Sequence, residues 1–341
     1  MKKKIAVVTG ASGQDGAYLI DLLIKKNYYV IAALRRNSNI NSSRLAQFGI
    51  DNVSKKFSKS EVEITEYTNC TNLIRENKPD EFYNLAAQSF VKVSFSQPIY
   101  TTQVNSLGVL HLLESIRHFS PKTKYYQAST SEMYGNPKKK ALNEKTEFNP
   151  VSPYAISKLY AYHMTKMYRD AYNLFCVNGI LFNHESPFRG QEFVTQKIVT
   201  SLIKVMRGKQ DYLLLGNLDS KRDWGHAKDF TNAMWLMLQQ TEPQDFVIST
   251  GKSYTVRDFV TKTSKYLGLD IIWKGKGINE KAYNKKTGKV IVKVEKKFYR
   301  PNETYSLIGD PSKAKKILKW KPESDINDLI AEMCENRLKN F

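Results

Sequence analysis

The chain has 341 residues, 41% of them hydrophobic and 12% aromatic, with a formal charge of +20. That apolar share excludes an intrinsically disordered chain, which lacks the surface to offset ordering entropy, and the length fits two domains at roughly 100–200 residues each. The positive charge attracts anions, but the lysines are spread along the chain without zinc-finger or RNA-recognition spacing, so phosphorylated metabolites or plainly solvated lysine faces account for it without nucleic acid.

In chain order, the opening "MKKKIAVVTGASG" has a basic flank, yet its apolar run ends after four residues. That is too short for a signal-peptide core or a membrane span, and a soluble cytoplasmic chain is expected. Cys70, Cys176 and Cys334 lack CxxC spacing and suit a reducing compartment. Ile5 to Val8 predict a buried parallel strand, Leu19, Ile20, Leu22 and Leu23 a helix, and "YYVIAAL" a second strand. Gly10, Gly13 and Gly16 fall between the first strand and the helix. Lacking Cβ atoms, they allow a tight turn in which a pyrophosphate rests on the amides at the helix start. The end of the second strand chooses the cofactor. A carboxylate there binds the ribose hydroxyl of NAD, whereas Arg35 and Arg36 suit the 2′-phosphate of NADP. Solvated loop arginines are the competing reading.

"TKYYQASTSEMYG" continues the strand pattern and ends with Thr130 and Glu132 at the carboxyl edge of the sheet, where ligands bind. "NPVSPYAISKLYAYHMTKMYRDAY" predicts a helix with Ser152 as N-cap and Pro153 in the first turn. Tyr154 and Lys158 stand four apart on one face, where an ammonium lowers the proton affinity of a phenol and the pair can shuttle a proton to or from a sugar hydroxyl. Tyr162 with Lys166 and Tyr134 with Lys138 repeat the spacing. The first pair is rotated away further along the helix, and the second straddles the loop signal "GNP".

These features resemble the extended short-chain dehydrogenase/reductases that act on nucleotide sugars. The segments "NLAAQSFVKVSFSQPIYTTQVNSLGVLHLLESI", "LFNHESPFRGQEFVTQKI", "GNLDSKRDWGHAKDF" and "FYRPNETYSLIGDPSKAKKILKW", in this order, are similar to GDP-mannose 4,6-dehydratases. The resemblance implies an α/β fold, a doubly wound parallel sheet of the Rossmann kind with a smaller C-terminal α/β region. It further implies bound NADP regenerated within each turnover, hydride leaving C4, water lost across C5 and C6, and hydride returning to C6. An epimerase needs nothing acidic beside Thr130. A dehydratase needs a group that takes the C5 proton and helps the C6 hydroxyl leave, and Glu132 is the candidate for both roles. By matching positions, Gln14, Asp15, Glu63, Ile64, Leu85 and Ala87 join the cofactor contacts, while Ser89, Asn183, Glu185, Lys197, Arg222, Arg300 and Glu303 line the GDP-sugar pocket.

This chain departs from the family at Glu63 and Ile64 (usually Asp-Leu), at Ala86 (usually Gly), and at Phe188, Gln191 and Gln196 (commonly Arg, Glu and Arg). The last three leave GDP-manno-heptose as a second candidate substrate. Two further readings compete with a dehydratase: a nucleotide-sugar epimerase or reductase, and an idle nucleotide- or RNA-binding protein.

Residues 1–183 are expected to form the NADP domain, joined by a returning segment at about 219–252 that includes the helix "HAKDFTNAMWLMLQQ". Residues 184–341 mainly form the sugar-binding domain. "WKGKGINEKAYNKKTGKVIVKVEKK" reads as a loop leading into a strand. His184 and His226 have no ligand cluster around them, so no metal is expected. Family subunits pair through the catalytic helix and the "VNSLGVLHLLESIRHF" helix, which implies a homodimer or homotetramer without nucleic acid or membrane partners.

Overall fold

The computed structural model describes residues 3–36, 44–50, 56–137, 141–299 and 306–340. Arg300 and Glu303, and Lys138 of the "GNP" pair, lie outside them. In chain order come β1 (Ile5–Thr9), α1 (Gln14–Lys25), β2 (Tyr29–Leu34), β3 (Phe57–Glu61), α2 (Tyr67–Asn77), β4 (Glu81–Asn84), α3 (Val91–Ser96) and α4 (Pro98–Thr102). A π-helical turn, Gln103–Leu107, then runs into α5 (Gly108–Phe119), followed by β5 (Lys124–Thr130), α6 (Pro153–Tyr172) and β6 (Cys176–Leu181). The rest of the chain supplies β7 (Asn183–Glu185), α7 (Val194–Met206), β8 (Leu213–Leu215), β9 (Lys221–Arg222), β10 (Trp224–His226), α8 (Ala227–Leu238), β11 (Phe246–Ile248) and β12 (Tyr254–Thr255). After these come α9 (Val256–Tyr266), β13 (Ile271–Lys274), β14 (Lys281–Asn284), β15 (Val290–Val294), β16 (Ser306–Leu307), α10 (Ser312–Ile317) and α11 (Ile326–Lys339).

The main sheet has seven strands in the order β11-β6-β5-β4-β1-β2-β3, all parallel. Helices cover both faces, so its strands must be apolar on both sides, and β1 and β6 are buried almost throughout. The chain reverses direction across the sheet between β1 and β4. In a doubly wound fold that reversal opens a crevice at the carboxyl ends of the strands.

A second core gathers Ile198, Leu202, Leu213, Phe259, Val292 and Ile330 from the later elements. The returning helix α8 packs Phe230 and Met234 with Ala17 and Leu23 of α1 in the main core. The lysine-rich stretch corrects its sequence reading: it is not a loop leading into one strand but β13 and β14 paired antiparallel, with β15 beside them. One register row points Trp273, Ala282, Val292 and Leu213 toward the core, and the next sets Lys274, Lys281 and Lys293 side by side. Alternation is present, but the outward lysines and the glycine-rich turns make the composition look loop-like. Among the described residues, no helix is long and apolar enough to cross a membrane, and no His/Cys/Asp/Glu group is arranged to hold a metal.

Candidate active site

The glycine turn between β1 and α1 is built against the loop that follows β4. Gly10 has a φ of 64°, and a Cβ there would stand 2.8 Å from the Leu85 carbonyl oxygen. At Gly16 a Cβ would meet the Gly10 carbonyl at 2.5 Å, so helix and turn touch backbone to backbone. A side chain at either position would push the turn off the loop after β4 or the helix off the turn, so the close packing that sets the turn at the start of α1, where a pyrophosphate would rest on the amides, requires glycine. Thr9 fixes the far wall: its hydroxyl donates to Asn84 Oδ1 at 2.6 Å and accepts from the amides of Leu85 and Ala86 at 3.1 and 3.2 Å. These contacts bring Gly10, Gly13, Gly16 and Leu85 together, with Ala87 and the exposed Ser89 continuing the same loop. Ala86, where the family has glycine, is accommodated in that loop.

Arg35 and Arg36 follow β2 at the same edge. Arg35 Nη1 donates to the Tyr100 hydroxyl at 2.7 Å, and Arg36 is 90% exposed with a 3.7 Å ion pair to Glu61. So long and exposed a pair contributes little and leaves the guanidinium adaptable. Glu63 and Ile64 follow β3. Ile64 is buried against Gly108, its carbonyl 3.0 Å from His111 Nδ1, while the Glu63 carboxylate accepts from the Thr65 amide.

Thr130 ends β5, and a short 3-10 turn, Ser131–Tyr134, places Glu132 directly after it, with the Thr130 hydroxyl accepting from the Glu132 amide at 3.2 Å. Ser152 caps α6 by accepting from the Ala155 amide at 3.1 Å. This cap sets Tyr154 in the first turn, and its phenol meets the Thr130 hydroxyl. Lys158 Nζ donates to the Ala128 carbonyl at 2.9 Å. All four side chains are buried. Burial pushes the Tyr154 phenol up to about 12; the Thr130 hydrogen bond opposes this, and the Glu132 charge reinforces it. Burial also pulls the Lys158 ammonium down to about 8, with the Asp15 carboxylate opposing. The expected lowering of the tyrosine by the lysine is therefore not met in the protein alone: desolvation dominates, and the ammonium is turned to a backbone carbonyl.

Sequence reasoning missed the support behind this pair. Asn105, in the π-helical turn, donates to the Gln88 carbonyl and to Ser157 Oγ, both at 3.1 Å, and accepts from the Gln88 amide at 2.8 Å. It joins the loop after β4 to the helix residue preceding Lys158. The sequence offered no signal for it: the π-helical turn Gln103–Leu107 is a feature of the folded chain that nothing in the local composition announces. Arg44 was also missed. It donates to the carbonyls of Ser12, at 2.8 Å, and Phe188, tying the glycine turn to the loop after β7.

On the sugar side, the structure gathers only part of the expected pocket. Asn183 Oδ1 and Gln196 Oε1 are buried without a hydrogen-bond partner among the described residues. Lys197 Nζ lies 3.6 Å from the Phe298 ring centroid; burial lowers its pKa, and the charges of Lys297 and Lys92 add to that. Glu185 is held by internal contacts, accepting from Thr195 Oγ1 at 2.6 Å and pairing with Arg189 at 3.1 Å. Arg222 is buried in the β12-β9-β16 sheet, donating to the Lys221 carbonyl. Phe188 packs on Tyr18 and Phe48 at 5.2 and 5.3 Å, so this departure from the family builds an aromatic clamp on α1.

A family profile described as GDP-mannose 4,6 dehydratase matches residues 7–333. The chain belongs to the GDP-mannose 4,6-dehydratase family. Within that family, the chain is similar to the GDP-mannose 4,6-dehydratase of Yersinia enterocolitica, with 46% identity covering 99% of this chain and 94% of the relative. The human GDP-mannose 4,6 dehydratase is 47% identical over 97% of this chain and 90% of its own length. Two solved structures share the fold of this family member at low identity. A dTDP-glucose 4,6-dehydratase from Bacillus anthracis in complex with NAD superposes with a TM-score of 0.81 and 22% identity, covering 99% of this chain and 97% of that one. A UDP-N-acetylglucosamine 4-epimerase from Methanobrevibacter ruminantium gives 0.82 and 22% over the full length of both.

Proposed function

We propose that the protein is an NADP-dependent GDP-mannose 4,6-dehydratase, a lyase. The observation that carries this reading is a buried carboxylate, Glu132, one turn from the paired Thr130 and Tyr154 at the carboxyl edge of the sheet. Bound NADP supplies the hydride acceptor for C4 and the donor for C6. Tyr154 takes the proton of the C4 hydroxyl as that carbon becomes a ketone, and Thr130 holds the same oxygen. The ketone acidifies the C5 hydrogen; Glu132 removes it and delivers a proton to the C6 hydroxyl, which departs as water. The positive end of α6 favours the tyrosinate, and Lys158, one turn further along the same helix and held by the Ala128 carbonyl, orients the bound cofactor and substrate beside it. The diphosphate falls to Lys197, with Arg222 and Arg300 completing the pocket and Ser89, Asn183, Glu185 and Glu303 contacting nucleoside and sugar.

Offered separately, GDP-mannose is expected to lose the mass of one water and GDP-manno-heptose to turn over more slowly, as read by mass spectrometry. Faster loss from the heptose would transfer the assignment to that sugar, and rearrangement without loss of mass would make the protein an epimerase. Phe188 favours the hexose, because this departure packs on α1 and needs no change in the pocket.

The preference for NADP rests on Arg35 and Arg36. Arg36→Ala is expected to weaken NADP by about 10- to 100-fold, the range of one or two charged hydrogen bonds, and to leave NAD affinity within about threefold. Equal losses for the two dinucleotides, measured by fluorescence titration, would remove the 2′-phosphate role. Pairing into a homodimer or homotetramer is supported by the exposed apolar side chains Ile99, Leu107, Ile156 and Tyr160 on α4, the π-helical turn and α6.

A further inference from the structure

His184, on β7, is buried and stacked on Phe230 of α8 with ring centroids 4.5 Å apart. Its Nδ1 lies 2.7 Å from the Phe182 carbonyl and its Nε2 2.8 Å from the Asp15 carboxylate. Both neighbours are acceptors. A neutral imidazole carries one N–H and can satisfy only one of them, whereas an imidazolium satisfies both. Asp15 stands in the first turn of α1, directly over the glycine cradle, and its Oδ1 accepts from Gln14 Nε2 at 3.1 Å. Gln14 makes a parallel bridge, donating to the His184 carbonyl at 3.1 Å and accepting from Ser186 Oγ at 2.7 Å. The start of the cradle helix is thus fastened to β7, the strand that carries Asn183 and Glu185.

We infer that Asp15 and His184 form a charged positioning dyad, with His184 an imidazolium, that locks the phosphate-cradle helix to the sugar-side strand. The inference rests on the functional reading only in taking the cradle as the dinucleotide side and β7 as the sugar side. Three groups set the charge at His184: Asp15 from α1, the Phe182 carbonyl from its own segment, and Arg189 from the following loop. Burial pulls His184 down, but Asp15 and the carbonyl outweigh it, and the net position is above the ordinary 6.5. Burial likewise raises Asp15, but His184, Gln14 and Arg189 hold it below 3.8. The signs follow. The raised histidine contributes its full stability below 6.5 and loses it as pH climbs through its folded value; the lowered aspartate contributes above 3.8 and loses it as pH falls through its folded value. The Asp15 charge also acts on Lys158 and Tyr154, so the dyad is electrically connected to the catalytic pair.

The test is nitrogen NMR of the full-length protein labelled with ¹⁵N-histidine. At pH 7 both ring nitrogens of wild-type His184 are expected to carry protons, and Asp15→Asn is expected to leave one of them bare. An unprotonated ring nitrogen in the wild type at pH 7 overturns the dyad whether or not any variant folds. The spectrum needs no substrate, so failure of the GDP-sugar reading would leave this result standing and the two failures are distinguishable. In the dehydratase assay, Asp15→Asn is expected to lower kcat/KM about tenfold or more, to move the alkaline limb of its pH profile toward acid, and to be partly rescued by Asp15→Glu. An unmoved limb in a folded Asp15→Asn enzyme would equally overturn the proposal.

Discussion

Glu132→Gln is expected to bind dinucleotide and GDP-sugar as the parent does while losing water from the sugar about 10²- to 10⁴-fold more slowly, the usual span for removing a positioned acid–base group. Glutamine keeps the volume and can still accept a hydrogen bond, so the 3-10 turn held by the Thr130 hydroxyl should survive. What it cannot do is take a proton from C5. Under the proposed roles, deuterium from solvent should therefore stop entering the sugar at C5, while the C4 oxidation for which Tyr154 is the base would still leave the nicotinamide reduced. A single turnover would then show a reduced nicotinamide that persists, visible by its absorbance. Continued product release at the parental rate would remove Glu132 from the mechanism and return the protein to the wider group of nucleotide-sugar oxidoreductases.

The contrast with Tyr154 explains why that experiment separates the two roles. Tyr154→Phe should block the first step, so neither reduced nicotinamide nor solvent deuterium appears. The two side chains belong to different elements, one on the turn after β5 and the other in the first turn of α6, and they are coupled by the Thr130 hydroxyl, which meets the phenol and accepts from the Glu132 amide, and by the Glu132 charge.

How far the sequence reached depends on the range of the interaction. Elements dictated by local pattern were legible: the β-branched run of β1, the glycine spacing, the Ser152 cap and the four-residue step from Tyr154 to Lys158 all lie within one turn or one strand. The stretch 273–297 was misread because a strand's alternation is hard to see when its outward residues are lysines and its turns are glycine-rich. The largest gaps came from contacts between distant segments. Asn105 reaches Gln88 and Ser157, Arg44 reaches Ser12 and Phe188, and His184 meets Asp15 across 169 positions of chain. No local periodicity encodes such pairs. His184, judged from its sequence neighbours, lacked a metal cluster, and its actual partner arrives from the other end of the fold. The sign of the Tyr154 shift was also beyond sequence, because the outcome turns on burial, which the packing of β5 against α6 decides.

Lys158→Met is expected to inactivate the enzyme and, at pH 7, to make it more stable. Burial holds this lysine at about 8 against an ordinary 10.5, and each tenfold change in proton affinity corresponds to about 1.4 kcal/mol, so keeping it charged costs the folded protein about 3 kcal/mol. Methionine removes that cost and fills a similar volume, but it leaves the Ala128 carbonyl without its donor, a loss of about 1 kcal/mol. The net gain should be about 2 kcal/mol. The sign with pH is fixed by which state holds more protons. Below about pH 8 the lysine is charged in both states and the full penalty applies; between about 8 and 10.5 the unfolded chain keeps protons that the folded protein has released, so wild-type stability rises with pH. Denaturant melts of the two proteins should therefore differ at pH 7 and converge at pH 10.5, with the advantage of Lys158→Met present at the first and absent at the second. A variant less stable than wild type at pH 7 would mean that the ammonium is compensated in the folded protein, and that the strain ascribed to this catalytic group does not exist.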